Sequence, residues 1–171
     1  MIYLREITQH DVKLINKWRN DKMLIQTLGS PFRYVNLETE EQWFHNYMLH
    51  RDTQVRCSIC KDVTNEMIGV IYLLNIDNVS RSAEIAVMIG ESEHQNKGYG
   101  SLAIDEILDH AFNNLNLNRV TLTVLEDNMR ALQVYRKIGF KQEGLMRDAL
   151  YKNGKYVSLV MMSILQREYK K

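Results

Sequence analysis

Apolar and polar residues alternate from Ile2 to Ile7, the period of a strand with one buried face. Thr8 to Asp11 has the composition of a helix start, and Val12, Leu14, Ile15 and Trp18 then mark one face of a helix running to Asn20. Residues 21–37 carry no period and are expected to be irregular. Leu37 to Leu49 reads as a second helix, with Thr39, Glu40 and Glu41 in its first turn, where acidic groups suit the helix dipole. A polar turn holding Asp62 and Asn65 separates two strands, Val55 to Lys61 and Met67 to Leu74. Ala83 to Ile89 is almost wholly apolar, as a strand covered on both faces should be. Leu102, Ile104, Ile107, Leu108, Ala111, Phe112 and Leu115 repeat at helical spacing and predict a helix over Gly98 to Leu115. Val120 to Leu125 is a strand, and Asn128 to Ile138 a short helix closed by Gly139. Two last strands, near Phe140 to Tyr151 and Lys155 to Leu165, flank Asn153-Gly154, a hairpin signal.

The order is β-α-α-β-β-β-α-β-α-β-β, an α/β pattern that implies a central mixed sheet with helices on its faces. A chain of 171 residues with a single proline (Pro31) and no Gly/Ser-rich linker fits one domain, 1–171. A formal net charge of +1 points to neither nucleic acid nor a membrane surface as partner. No apolar run reaches the roughly 20 residues needed to cross a bilayer. Met1 to Glu6 lacks the basic and apolar stretches of a secretory leader, so a cytoplasmic location is expected. Cys57 and Cys60 stand three apart in a strand and so on opposite faces. Without a second pair or a His cluster they predict no metal site, only core or surface thiols.

Gln95-Asn96-Lys97-Gly98-Tyr99-Gly100-Ser101 joins a buried strand to the start of a long helix. A helix start offers unpaired N–H groups and partial positive charge, which together favour phosphate. Gly98 and Gly100 clear the approach, and Lys97 adds a mobile cation. On glycine spacing alone this reads as a turn that starts a helix, and it is neither a Walker loop nor a dinucleotide-binding fingerprint. In the second segment, Asn128 can cap a helix, and Tyr135 lies about one turn beyond Ala131 on the same face. A phenol there either packs in the core or donates a proton.

Gln95 to Gly100 resembles the Q/R-x-x-G-x-G/A motif of the GCN5-related N-acetyltransferases (GNAT). Asn128 to Phe140 resembles the family's N-x-x-A-x-x-x-Y-x-K-x-G-F pattern, including Lys137, at every specified position. The likeness implies a mostly antiparallel sheet with one splayed strand, Ala83 to Gly90. The peptide groups of Val87, Met88 and Ile89 would then pair with the pantetheine arm of acetyl-CoA, and the loop at 95–101 would hold its pyrophosphate. It implies direct acetyl transfer to a primary amine without an acyl-enzyme, and no convincing Ser or Cys nucleophile with a His partner can be assembled. Tyr135 would protonate the leaving thiolate. Glu84 is the candidate base, the other reading being a carboxylate paired with Arg81 or Arg119. His94 is placed on the loop surface.

Gly144 to Asp148, Asn153 to Tyr156 and Met161-Met162 resemble the branch of ribosomal-protein N-terminal and spermidine acetyltransferases. Val157-Ser158 departs from the acidic residue found there in several members. Gly29-Ser30 and Asn75 stand where spermidine enzymes would carry acidic residues. Lys17-Trp18-Arg19-Asn20-Asp21 resembles the first helix of enzymes acting on nucleotide-linked amino sugars. Met23 to Asn36, with Arg33 and Tyr34, is expected to wall the acceptor site. The acceptor is thus a small-molecule or peptide amine: an amino sugar, a protein N-terminus or, less in keeping with these residues, spermidine. A non-catalytic acetyl-CoA-binding module is the alternative. Exposed final strands, which often pair in this family, make a homodimer the expected partner.

Overall fold

The computed structural model describes residues 1–170; Lys171, the last residue of the expected domain, lies outside the described residues. Among those residues, β1 (Ile2–Glu6), β2 (Val55–Lys61), β3 (Met67–Asp77), β4 (Ser82–Ile89), β5 (Arg119–Leu125), β6 (Lys141–Lys152) and β7 (Lys155–Leu165) form one sheet. Its order is β1-β2-β3-β4-β5-β7-β6. Every pairing is antiparallel except β4 with β5.

Among the described residues five α-helices accompany it: α1 (Val12–Arg19), α2 (Lys22–Gln26), α3 (Leu37–Leu49), α4 (Tyr99–Asp109) and α5 (Met129–Ile138). Their ends follow local chemistry. The Asn36 side chain accepts from the Thr39 amide at the start of α3, and Asn128 accepts from Ala131 at the start of α5. Gly139, at φ +117, closes α5 in the left-handed region. Asn153 and Gly154, at φ +52 and +80, turn β6 into β7.

The sheet separates two cores. The larger one joins Ile59, Ile71, Leu73 and Ile85 to the buried face of α4 (Ala103, Ile104, Ile107, Leu108), to Leu132 of α5, and to Val160 and Met162 of β7. The smaller one packs Val12, Ile15 and Trp18 of α1, Leu24 and Ile25 of α2, and Phe44 and Tyr47 of α3 against Val70 and Met88. Both cysteines are buried and unpaired. Cys57 belongs to the larger core, where burial pushes its thiol up to about 11.

Three local expectations change. The segment 21–37 contains α2, whose start is capped by the Asp21 carboxylate accepting from the Met23 and Leu24 amides. Five residues are too few for a helical period to register. The long helix is α-helical only to Asp109 and continues as a π turn over His110–Asn114. His94 is not on the surface: a 3₁₀ turn, Ser92–His94, folds it inward to 5% exposure, its Nε2 3.2 Å from Glu66 Oε1 and its ring edge-on to Tyr99.

Candidate active site

The pairing of β4 with β5 lasts only for Ser82, Ala83 and Glu84, opposite Arg119, Val120 and Thr121. Beyond Glu84 the two strands part, while β4 stays paired with β3 up to Ile89. Gly90 N donates to Ile68 O (2.9 Å), which sets the alternation of hydrogen-bonded pairs along this ladder. The peptide groups of Val87 and Ile89 therefore face the gap, and those of Met88 face β3. The Met88 side chain is buried in the smaller core. Gln95 Nε2 donates to Ile89 O (3.2 Å), so this side chain closes the end of the gap.

The gap opens into a cleft of about 1100 Å³. Asn96, Gly98, Tyr99, Gly100 and Ser101 line one end, where α4 begins. Gly98 adopts φ +82 and provides no side-chain cap, so the first amides of α4 have no partner within the helix. A Cβ on Gly98 would meet nothing within 4 Å, and one on Gly100 would only touch Ile89 at 3.9 Å. Open space, orphan amides and the dipole of an eleven-residue helix suit a pyrophosphate. The free peptide edge at Val87 suits an extended amide-bearing arm. Lys97 and Lys137 are both exposed and stand outside the lining of the cleft.

The opposite wall comes from α5 and α2. Asn128 spends both ends of its amide here: Oδ1 caps α5, and Nδ2 donates to Thr27 O (3.1 Å). Ala131, Val134 and Tyr135 face the cleft. The Tyr135 ring packs edge-on against Phe140 at 5.8 Å, but its hydroxyl has no hydrogen-bond partner among the described residues. Burial holds this phenol above its usual range, so it is protonated at neutral pH and can donate. A core tyrosine would have found a partner.

Glu84 lines the same cleft at the point where β4 and β5 separate. The arginines expected to neutralise it are engaged elsewhere: Arg81 bonds Asn116, and Arg119 bonds Glu143. The nearest polar partner of Glu84 is Asn75 Nδ2, at 3.5 Å.

The rest of the cleft lining is built from residues that sequence reasoning largely passed over. Gly29 and Ser30 line it, while Arg33 and Tyr34 are exposed and take no part in the lining. Arg19, from the Lys17-Trp18-Arg19-Asn20-Asp21 segment, lines it too, with Nη1 2.8 Å from the fully buried carboxylate of Glu40. Trp43, Arg56 and Tyr72 line it as well. The Arg56 guanidinium lies 4.7 Å from the Trp43 ring centre and 4.6 Å from that of Tyr72. Lys152 is buried behind the wall, donating to the carbonyls of Ile25, Leu28 and Ser30. No local pattern marks Trp43, Arg56, Tyr72 or Lys152, since each lies on a different element.

Comparison with known proteins gives the family. Residues 2–141 match the family model described as acetyltransferase (GNAT) domain. The spermidine N(1)-acetyltransferase of Vibrio cholerae is 31% identical over 167 residues, covering 97% of this chain and 94% of that protein. A putative ribosomal N-acetyltransferase, YdaF of Bacillus subtilis, is 41% identical over 101 residues, covering 59% of this chain and 55% of its own. The crystal structure of the Vibrio cholerae spermidine enzyme in complex with CoA and spermine superposes with a TM-score of 0.92 at 28% identity, over 98% of this chain and 97% of the other. The chain belongs to the GNAT acetyltransferases and is an acetyl-CoA-dependent N-acetyltransferase.

Proposed function

We propose that the chain passes an acetyl group directly to a neutral primary amine within the cleft between β4 and β5. Tyr135 is the proton donor, and Glu84 begins the path by which the amine loses its proton. The observation that carries this reading is Tyr135, which lines the cleft with a hydroxyl that has no hydrogen-bond partner among the described residues. When bound, acetyl-CoA supplies an activated thioester. The free edge at Val87 and the amides at the start of α4 hold and orient it. Tyr135 Oη delivers a proton to the departing sulfur. Glu84, free of arginine partners, accepts the amine's proton directly or through water.

Among the acceptor classes, a nucleotide-linked amino sugar or a protein N-terminus suits this lining better than spermidine. Gly29 and Ser30 contribute no charge and Arg19 and Arg56 contribute the wrong sign for a polycation. Relatives are named as spermidine acetyltransferases, so spermidine is the necessary control. None of the relatives above is named as a sensor, which leaves the non-catalytic alternative without support. The rest of the proposal is one domain acting in the cytoplasm as a homodimer; no helix among the described residues is long and apolar enough to cross a membrane. Among the described residues the outer edge of β6 is unpaired, with Leu145, Met146 and Tyr151 exposed, which suits a second copy.

The test is thiol release from acetyl-CoA with amino-sugar, N-terminal peptide and polyamine acceptors. Y135F should lower kcat by about a hundredfold or more while leaving acetyl-CoA binding near wild type. A Y135F enzyme turning over at the wild-type rate would remove the proton-donor assignment.

A further inference from the structure

Arg56 is an unusual group to find at the floor of a cleft. Its Nε donates to Gln54 Oε1 at 2.6 Å, and aromatic rings of Trp43, Tyr72 and Tyr47 surround its guanidinium at 4.7, 4.6 and 5.8 Å. No carboxylate forms an ion pair with it among the described residues. Its leading electrostatic neighbours are Tyr72, Tyr47 and a second cation, Arg19, and burial lowers its pKa. Arg19 is itself tied to Glu40 through one nitrogen only, leaving further donors of its fork available. A desolvated guanidinium facing another cation without a counter-ion is costly in isolation. The cost is removed when an anion arrives, and the planar fork matches the two oxygens of a carboxylate or phosphate.

The register places this pair relative to the chemistry. Arg56 is opposite Tyr72, Tyr72 is opposite Ala86, and Glu84 is two residues along β4 from Ala86 on the same face. The acceptor half of the cleft is therefore bipolar, with a carboxylate at the gap, the Arg56 guanidinium two strands away on β2, and Arg19 of α1 lining the same cleft. We propose that the acceptor amine carries an anionic group, phosphate or carboxylate, which Arg56 and Arg19 hold while its nitrogen lies near Glu84. This deepens the acetyltransferase reading above and rests on it.

The experiment uses matched amines that differ only in the anion. Thiol release is measured with glucosamine against glucosamine 6-phosphate, with 4-aminobutanamide against 4-aminobutyrate, and with spermidine. One anionic member should exceed its neutral partner at least about tenfold in kcat/KM, and the favoured pair tells phosphate from carboxylate. In R56Q the preference should vanish, the KM of the anionic member rising to that of its neutral partner. R56K, which keeps the charge but not the fork, should retain part of it.

A second readout does not depend on turnover. With the enzyme saturated in coenzyme A, calorimetric titration of glucosamine 6-phosphate and 4-aminobutyrate should give binding that R56Q loses while its thermal unfolding stays cooperative. Absence of binding to the wild type, equal turnover of both members of each pair, or spermidine as the best acceptor would each overturn the proposal. Anion binding lost in R56Q, with no thiol release from any amine, would uphold the anion site and strike the acetyltransferase reading instead.

Discussion

Gly90 and the indole of Trp18 are in such close contact that a Cβ on Gly90 would lie 1.9 Å from Cε2 of the ring. The contact seats α1 on the end of β4, where the strand leads into the loop that starts α4. Trp18 is 1% exposed, and its Nε1 donates to Glu91 Oε1 at 3.1 Å. The first helix and the loop that starts α4 thus meet at this glycine. G90A should destabilise the fold by about 1–3 kcal/mol or more, because the ring is enclosed by the smaller core and has nowhere to move. Denaturant titration measures this directly, and a midpoint equal to wild type would show that the ring can shift.

Gly98 tests the cofactor end by itself. A side chain there must adopt φ +82, which costs an L-residue about 1–2 kcal/mol. It also enters the open space next to the orphan amides. G98A should raise KM for acetyl-CoA by about tenfold, the equivalent of roughly 1.4 kcal/mol of binding, with a smaller effect on the acceptor KM. Steady-state kinetics with each substrate varied in turn separates the two.

Lys152 serves as a hub for three carbonyls on the segment that includes Gly29 and Ser30. K152M keeps the length of the side chain and removes the donors. Leaving even one of those carbonyls without a partner costs about 1–3 kcal/mol. The variant should lose stability of that order, and its acceptor KM should rise more than its acetyl-CoA KM, because the loosened segment walls the acceptor end. Equal changes in both would argue that the whole cleft had relaxed.

A pH effect is expected from Glu143. The Arg119 guanidinium, bonded to it at 2.6 Å, and the Ser163 hydroxyl hold its carboxyl down to about 2 from an ordinary 4.5. A depressed folded-state pKa means that the contribution to stability is complete above the ordinary value of 4.5 and is lost as pH falls towards about 2. The pair is about one-third exposed, so solvent screening limits the effect to about 0.2–1 kcal/mol. Urea midpoints measured across that range should fall less steeply for E143Q than for wild type.

The order of strands and helices is legible along the chain because periods of two and 3.6 are local properties of the backbone. Asn128 and Gly139 mark the ends of α5 for the same reason: a cap acts within three or four residues of itself. The two motifs at Gln95–Gly100 and Asn128–Phe140 are likewise contiguous, and the family and its cofactor chemistry follow from them. The short α2, the burial of His94 and the π turn after Asp109 are not legible, because each depends on what the segment packs against.

The sequence by itself determined the order of the strands and of the longer helices, the helix start suited to phosphate, and a tyrosine one turn beyond Ala131 on the same face. Only the tertiary structure decided that β4 leaves β5 at Glu84, so that the peptide edge beyond it stays free. It alone decided that Arg56 from β2, Tyr72 from β3, Trp43 from α3 and Arg19 from α1 meet at one end of the cleft. The physical reason is the same throughout. A side chain's period tells which face of its own element it occupies, but strand order and register choose its neighbours, and neighbours set charge, burial and function.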